Sequence, residues 1–284
     1  MAMDPLVFII LVNWNGRRDT LECLASLHQQ TYPHRKVLVV DNGSTDGSVE
    51  AIRSQYPEVT ILALPDNQRF AGGNNTGIRH ALESGADYVL LLNNDTTADR
   101  DMLRILVSTM RSQPNAGMVA PKIYYSAAPH VLWYAGGVIS FWTGTMRHVG
   151  IREEDRGQYD RPRETGYASG CCLLVSREVI GRIGLLDETY FIYAEDADWS
   201  LRARRAGYTI LFEPGAMLWH KISASAGGHL SPFKLRHKFV SNLRFFSRYA
   251  RWYHWLTFPW LTLPVNALAA LGYILQRRSL GRTP

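Results

Sequence analysis

The sequence predicts an α/β fold: a mostly parallel central sheet flanked by helices, followed by a basic and hydrophobic helical tail. Three observations lead there. Short apolar runs alternate with helix-compatible stretches over the first 120 residues. Polar residues follow these runs, where the strands of a parallel sheet would end. No Asp or Glu follows Glu213, whereas ten Lys and Arg do.

The elements follow in order. Residues 6–12 read as a strand buried on both faces, and 37–40, 59–64 and 88–92 read likewise. Helix-compatible segments lie between them near 18–30, 46–56 and 72–84, the last following Gly72-Gly73. Strand–helix–strand repetition at this spacing builds a parallel sheet with right-handed crossovers. Such sheets bind ligands outside the carboxyl ends of their strands. Asn13, Asp41, Asp66-Asn67 and Asn93-Asn94-Asp95 all fall there. From about 121 to 165 the composition turns aromatic and glycine-rich, which predicts hairpins, and the charged stretch 152–164 reads as a mobile surface segment. Regular structure returns at 167–176, then a short helix, an acidic helix from Asp196, and strands near 208–213 and 215–220. There is no internal repeat and no clear two-domain boundary. The chain divides into a main domain, 1–230, with halves 1–120 and 121–230, and a tail, 231–284.

At 284 residues the chain can bury a full α/β core with a smaller appendage. Its three cysteines, Cys23 and the adjacent Cys171-Cys172, make no disulfide framework, lack zinc spacing and read as small core residues. The start has no basic n-region and its apolar run is too short for a secretory signal, which predicts a cytosolic protein. The net charge of +6 is divided: the first 213 residues hold 21 Lys and Arg against 25 acids, net −4, and the rest carry +10. That asymmetry implies an anionic partner for the tail alone. Phe239, Leu243, Phe246 and Ala250 recur at helical spacing, and 252–275 is uncharged with Trp252, Trp255 and Trp260 near its start. Its length would cross a bilayer as a helix. Pro259, Pro264, His254, Asn266 and the basic flanks instead favour in-plane or re-entrant attachment. An anionic membrane surface therefore fits the tail better than nucleic acid, for which there is no recognition motif. The expected location is the cytoplasmic side of the cell membrane, peripheral or monotopic.

Five motifs carry candidate chemistry. Asp41 ends a strand where its carboxylate can accept from a base N–H, while Asn42-Gly43 makes the turn and Ser44, Thr45 and Asp46 read as turn and cap residues. Gly72-Gly73, flanked by asparagines, lets backbone approach a ligand at a helix start that offers N–H groups to an anion. Asp95 closes Asn93-Asn94-Asp95 after an apolar run and suits a hard divalent cation, which prefers oxygen ligands. Glu195, Asp196 and Asp198 sit at a helix start, where free amides stabilise acids; Asp198 and Trp199 read as capping and packing, and one acid facing the crevice as a general base. His220 ends a strand before the loose stretch 223–229, a candidate lid. A lone His is commonly structural, but this placement points to metal or diphosphate contact. A cation on one carboxylate and a proton acceptor on another suggest group transfer from a diphosphate-bearing donor.

Taken in order, Val12-Asn13-Trp14-Asn15-Gly16, Val40-Asp41-Asn42-Gly43-Ser44, Phe70-Ala71-Gly72-Gly73-Asn74-Asn75, Leu92-Asn93-Asn94-Asp95, Ser169-Gly170-Cys171-Cys172, Glu195-Asp196-Ala197-Asp198-Trp199 and Trp219-His220 resemble family 2 glycosyltransferases. The nearest subgroup is the rhamnosyltransferase-like enzymes of surface glycans, and the resemblance covers about 6–222. It implies a GT-A fold and inverting transfer from a nucleotide-sugar (dTDP-, UDP- or GDP-linked) with Mg²⁺ or Mn²⁺. It implies Asp41 as base-recognising, Asp95 as the metal-binding last aspartate of a DxD motif, Asp196 as catalytic base and His220 as a metal ligand. Donor contacts would come from Asn13, Asp41, Asn67, Arg69, Gly73, Asn74, Asn93, Asn94 and Glu195. Residues 1–120 would then be the nucleotide-binding half and 121–230 the acceptor and catalytic half. Two positions depart from the pattern: Asn93 replaces the first aspartate, and Arg69 stands where glycine is common, as a donor phosphate or base contact. The basic, Trp-rich tail suggests a polyprenyl-linked glycan acceptor. Two other classes compete. A nucleotidyltransferase needs a basic glycine-rich triphosphate loop, and Asn13-Trp14-Asn15-Gly16 is not one. In a non-catalytic nucleotide-sugar-binding scaffold, Asp196 would be dispensable.

Overall fold

An interior strand, β1 (Val7–Asn13), is apolar because the sheet is covered on both faces. A computed structural model of the chain describes residues 4–222 and 232–257. After β1 come α1 (Arg17–His28), β2 (Arg35–Asp41), α2 (Ser48–Gln55), β3 (Thr60–Ala63), α3 (Arg69–Glu83) and β4 (Tyr88–Asn93). The four strands are parallel in the order β4-β1-β2-β3, so the expected crossover pattern holds. The register sets Asn13 beside Asp41 and Val12 beside Asn93.

One boundary differs. α3 starts at Arg69, so Gly72 and Gly73 lie inside its first turns and do not open it. Their small size serves packing instead. A Cβ on Gly73 would come within 2.9 Å of Val12, and one on Gly77 within 2.6 Å of Ile10.

The sheet continues after β5 (Thr96–Ala98) and α4 (Met102–Ser112) with β6 (Ala116–Tyr125) and β7 (Ala128–Tyr134). A separate hairpin follows, β8 (Gly137–Ser140) and β9 (Thr145–His148). Then come β10 (Arg163–Glu164), β11 (Cys172–Ser176), α5 (Arg177–Ile183), α6 (Glu195–Arg205), β12 (Thr209–His220) and α7 (Pro232–Tyr249). The main order is β10-β12-β6-β11-β4-β1-β2-β3, with β5 paired to β12, β7 paired to β6, and β11 running antiparallel between β4 and β6.

Three expectations change in this half. The stretch read as hairpins from 121 includes the end of β6, a central strand buried from Ala116 to Tyr124. Its Gly117, Pro121 and Lys122 dilute the apolar pattern that marks a strand. The strands expected near 208–213 and 215–220 are one strand, β12, with a bulge between Glu213 and Met217. The charged stretch 152–164 is tied down. The Lys122 ammonium, only 3% exposed, pairs with Asp155 at 2.8 Å and with Asp160, and Tyr124 donates to Asp155 at 2.6 Å. A buried charge requires such partners. The cysteines are free and buried, as expected.

The tail begins as part of the body. Phe245 and Phe246 are fully buried in a cluster with Tyr167, Tyr190, Ala194, Ala197 and Leu201. The inward row of α7 is Ser241, Phe245 and Tyr249, at i, i+4 spacing. Phe239 and Leu243, 68% and 44% exposed, point away from it, so the expected stripe through Phe239, Leu243 and Phe246 is split. The candidate lid 223–229 and residues 258–275 lie outside the described residues. Among the described residues, no helix is long and apolar enough to cross a membrane.

Candidate active site

The carboxyl ends of β1, β2, β4, β6 and β12 meet at one edge, and antiparallel β11 enters there, with Cys172 beside Leu92. That topology gathers Asn13, Asp41, Asp95, Gly170 and His220 from across the chain. Three buried side-chain atoms lack a hydrogen-bond partner among the described residues: Asn42 Oδ1, Glu195 Oε2 and His220 Nδ1. All three residues border this edge. Buried polar groups are rarely left unpaired, so their grouping marks a place built to receive a ligand.

Asn13 is the hub of a polar network at the ends of β1, β2 and β4. Its Nδ2 donates to Asp41 Oδ1 at 2.7 Å and to Ser44 Oγ at 3.1 Å. Its Oδ1 accepts from Thr20 Oγ1 at 2.8 Å, Asn94 Nδ2 at 3.1 Å and the Gly16 amide at 3.2 Å. β1, α1, the turn after β2 and the motif after β4 therefore share one network, and such networks rigidify a site. Asp41 is 2% exposed, and its Oδ2 accepts from the Ser44 amide at 2.9 Å. Each carboxylate oxygen keeps a second lone pair for a base N–H. Ser44, read as turn chemistry alone, also holds Asn13 and accepts from the Asn15 amide at 2.9 Å.

His220 Nε2 lies 3.0 Å from Asp95 Oδ1. The pairing of His220 with Thr96 sets the end of β12 beside the residue after Asp95. Trp133 packs edge-on against the His220 ring, with centroids 4.7 Å apart. Among the described residues, no three or more His, Cys, Asp or Glu cluster as a closed metal cage. A carboxylate oxygen and an imidazole nitrogen together fit a cation whose remaining ligands are water and substrate phosphate, the ordinary habit of Mg²⁺ and one open to Mn²⁺. Asn93, half-buried at the end of β4, adds no carboxylate to that pair.

The acidic helix enters under strain. Tyr193 and Ala194, at φ +70° and +69°, occupy the left-handed region just before α6. Asp196 Oδ2 accepts from the Gly170 amide at 2.9 Å and Oδ1 from the Ala197 amide at 2.8 Å. Burial nevertheless raises its pKa above the ordinary value. Glu195 is pushed up to about 8, first by burial and then by the Asp196 charge. Asp198 plays the packing part expected of it. It is fully buried, paired with Arg202 at 2.8 Å, and accepts from Tyr249 at 2.6 Å. Trp199 is buried and donates to the Gly184 carbonyl at 2.8 Å.

One turn joins the two acidic motifs. The Cys171 carbonyl accepts from the Asn93 amide at 2.8 Å, and the neighbouring Gly170 amide holds Asp196. The Cys171 thiol is raised well above its ordinary value, first by burial, then by Asp95 and, among smaller effects, by Asp196. The strand end that leads into Asp95 and the Asp196 carboxylate thus meet at the Ser169–Cys171 turn.

The stretch around the start of α3 is divided. Asn67 and Arg69 are exposed; Asn67 Oδ1 accepts from the Arg69 amide at 2.7 Å, and the Arg69 guanidinium lies 4.2 Å from the Phe191 ring centre. Gly73 and Asn74, expected as donor contacts, are buried: Gly73 lies against Val12 and Asn42, and Asn74 Nδ2 donates to the Phe70 carbonyl at 2.9 Å. The sequence reading missed Asn42, Thr20 and Phe191. Asn42 follows Asp41 and was legible as a neighbour; nothing local marks Thr20 or Phe191.

The pattern that defines the family described as "Glycosyl transferase family 2" matches residues 8–184. An N-acetylglucosaminyl-diphospho-decaprenol L-rhamnosyltransferase of Mycobacterium tuberculosis is 29% identical over 300 residues, covering 99% of this chain and 96% of its own. The dTDP-rhamnosyl transferase RfbF of Shigella flexneri is 25% identical over 225 residues, covering 78% of this chain and 70% of its own. The structure of mannosyltransferase PcManGT from Pyrobaculum calidifontis in complex with GDP-Man and Mn²⁺ superposes with a TM-score of 0.66 at 19% identity, covering 96% of this chain and 81% of its own.

Proposed function

The chain belongs to glycosyl transferase family 2 and has the GT-A fold, and from that premise we propose an inverting, metal-dependent transfer of a hexose to a hydroxyl of a lipid-linked glycan precursor. The sugar transferred is L-rhamnose from a dTDP donor, with UDP- and GDP-sugars as the other candidates, and the acceptor is a polyprenyl diphosphate sugar. This substrate reading is supported by the names of the two bacterial relatives. The chemistry rests on one observation: the turn Ser169–Cys171 holds Asp196 through the Gly170 amide and, through the Cys171 carbonyl, the strand end that leads into Asp95.

Asp196 takes the proton from the acceptor hydroxyl, whose oxygen attacks the anomeric carbon opposite the leaving diphosphate. Amide bonds from Gly170 and Ala197 fix the orientation of its carboxylate. Asn13, Asp41 and Asn42 frame the base, and Arg69 reaches the phosphates. Asp95 and His220 would hold Mg²⁺ or Mn²⁺, which when bound neutralises charge on the diphosphate as its bond breaks.

The protein works at the cytoplasmic face of a membrane. α7 and the turn Trp252–Leu256 expose Phe239, Val240, Leu243, Trp252 and Leu256, and basic residues accompany them. Such a surface suits an interface rich in anionic lipid. Incubating the protein with dTDP-L-rhamnose and a short-chain polyprenyl-diphospho-N-acetylglucosamine, with Mn²⁺ or with EDTA, tests the reading. Metal-dependent product with inverted anomeric configuration supports it. Retained configuration, or equal rates in EDTA, would contradict it.

A further inference from the structure

The segment between α5 and α6 delivers Glu195 and Asp196, and it is gripped from both sides. From α3, Asn75 Nδ2 donates to the Leu186 carbonyl at 2.9 Å and to Glu188 at 2.8 Å, and Asn75 Oδ1 accepts from the Leu186 amide at 3.0 Å. From α7, Ser241 Oγ donates to the Ile192 carbonyl at 2.8 Å, Arg244 to the Thr189 carbonyl, and Arg248 to Asp187 at 2.6 Å. The same helix reaches α6 itself. Tyr249 donates to Asp198 Oδ1 at 2.6 Å, and Arg248 Nη1 lies 3.4 Å from that atom. Phe245 and Phe246 pack in one cluster with Ala194 and Ala197, which flank the acid pair.

A stacked column adds a third link. The Arg69 guanidinium lies over Phe191, whose ring stacks on His237 of α7 with centroids 4.1 Å apart and planes at 18°. One helix therefore touches the segment before the base and the helix that carries the base, and reaches Arg69 through the Phe191 ring. Between these contacts stand Tyr193 and Ala194, whose left-handed backbone persists only where surroundings hold it.

We propose that α7 is a working part of the active site: Tyr249, through Asp198, and Ser241, through the Ile192 carbonyl, are positioning residues that hold the Tyr193–Ala194 turn and so aim Asp196. Neither touches a reacting atom. The idea rests on Asp196 being the base. It gives the start of the tail a second part, on its inward face, so the transfer step depends on α7 apart from any membrane contact made by its outward face.

The test is Tyr249→Phe and Ser241→Ala in the full-length protein, which delete one hydroxyl each. Turnover and KM for dTDP-L-rhamnose are measured with the short-chain acceptor in detergent, beside Asp196→Asn. The expected result is a kcat lowered about tenfold or more, since slight misplacement of a reacting group is costly, with donor KM and melting temperature close to wild type. Wild-type kcat in both variants overturns the proposal while leaving the base assignment standing, provided Asp196→Asn is inactive. A kcat loss that tracks lowered melting temperature and vanishes on cooling also overturns it, because it reports general loosening. An active Asp196→Asn removes the base assignment, and the proposal with it.

Discussion

His220 Nε2 sits 3.0 Å from Asp95 Oδ1, so the end of the last strand meets the motif that follows β4. Neither residue is much exposed, and the other imidazole nitrogen is buried without a hydrogen-bond partner among the described residues. If the pair holds the cation, His220→Ala raises the Mn²⁺ concentration for half-maximal activity by about tenfold or more. A Mn²⁺ titration of initial rates reads this directly. An unchanged midpoint assigns His220 to packing against Trp133.

Glu195 gives a pH signature. Burial, with the Asp196 charge second, lifts its carboxyl from the ordinary 4.5 to about 8. Between those values the folded state keeps a proton that the unfolded chain has released, so stability falls as pH rises through that window. Glu195→Gln stays neutral throughout and lacks this slope. The melting temperature of the variant therefore gains on wild type from pH 5 to 8. Parallel curves would show that the carboxyl is not raised.

Gly77→Ala probes how α3 lies on the sheet. The added methyl would come within 2.6 Å of Ile10 and 3.1 Å of Val40, both buried in strands. Overpacking of this kind costs about 1–3 kcal/mol. Urea denaturation measures the loss, and a variant as stable as wild type would mean that α3 shifts freely.

Lys122→Ala probes the segment 152–164. Removing the buried ammonium leaves Asp155, 12% exposed, without its cation. The expected loss is about 3 kcal/mol or more, as for other broken buried pairs. Limited proteolysis then cuts within 152–164 before the rest of the chain. Resistance equal to wild type would show that the segment is held by other contacts.

The parallel half of the sheet was legible because β1, β2 and β4 are plain apolar runs that end in polar residues. Asp41, Asp95, Asp196 and His220 were legible by their order and by their places at strand and helix ends. β6 was not, since Gly117, Pro121 and Lys122 interrupt its pattern while tertiary burial covers it. Gly72-Gly73 was read as the opening of a helix because glycine often marks an element's end, whereas α3 begins three residues earlier, at Arg69. The inward row of α7 could not be read at all: the partner of Tyr249 is Asp198, 51 residues earlier, and a short-range pattern carries no sign of it.

The central claim is that Asp196 is the base, and Asp196→Asn tests it most directly. Donor affinity by calorimetry and single-turnover transfer to the polyprenyl acceptor are measured on the same preparation. The account predicts donor binding unchanged and the transfer rate lowered at least about a hundredfold. Transfer near the wild-type rate would contradict it.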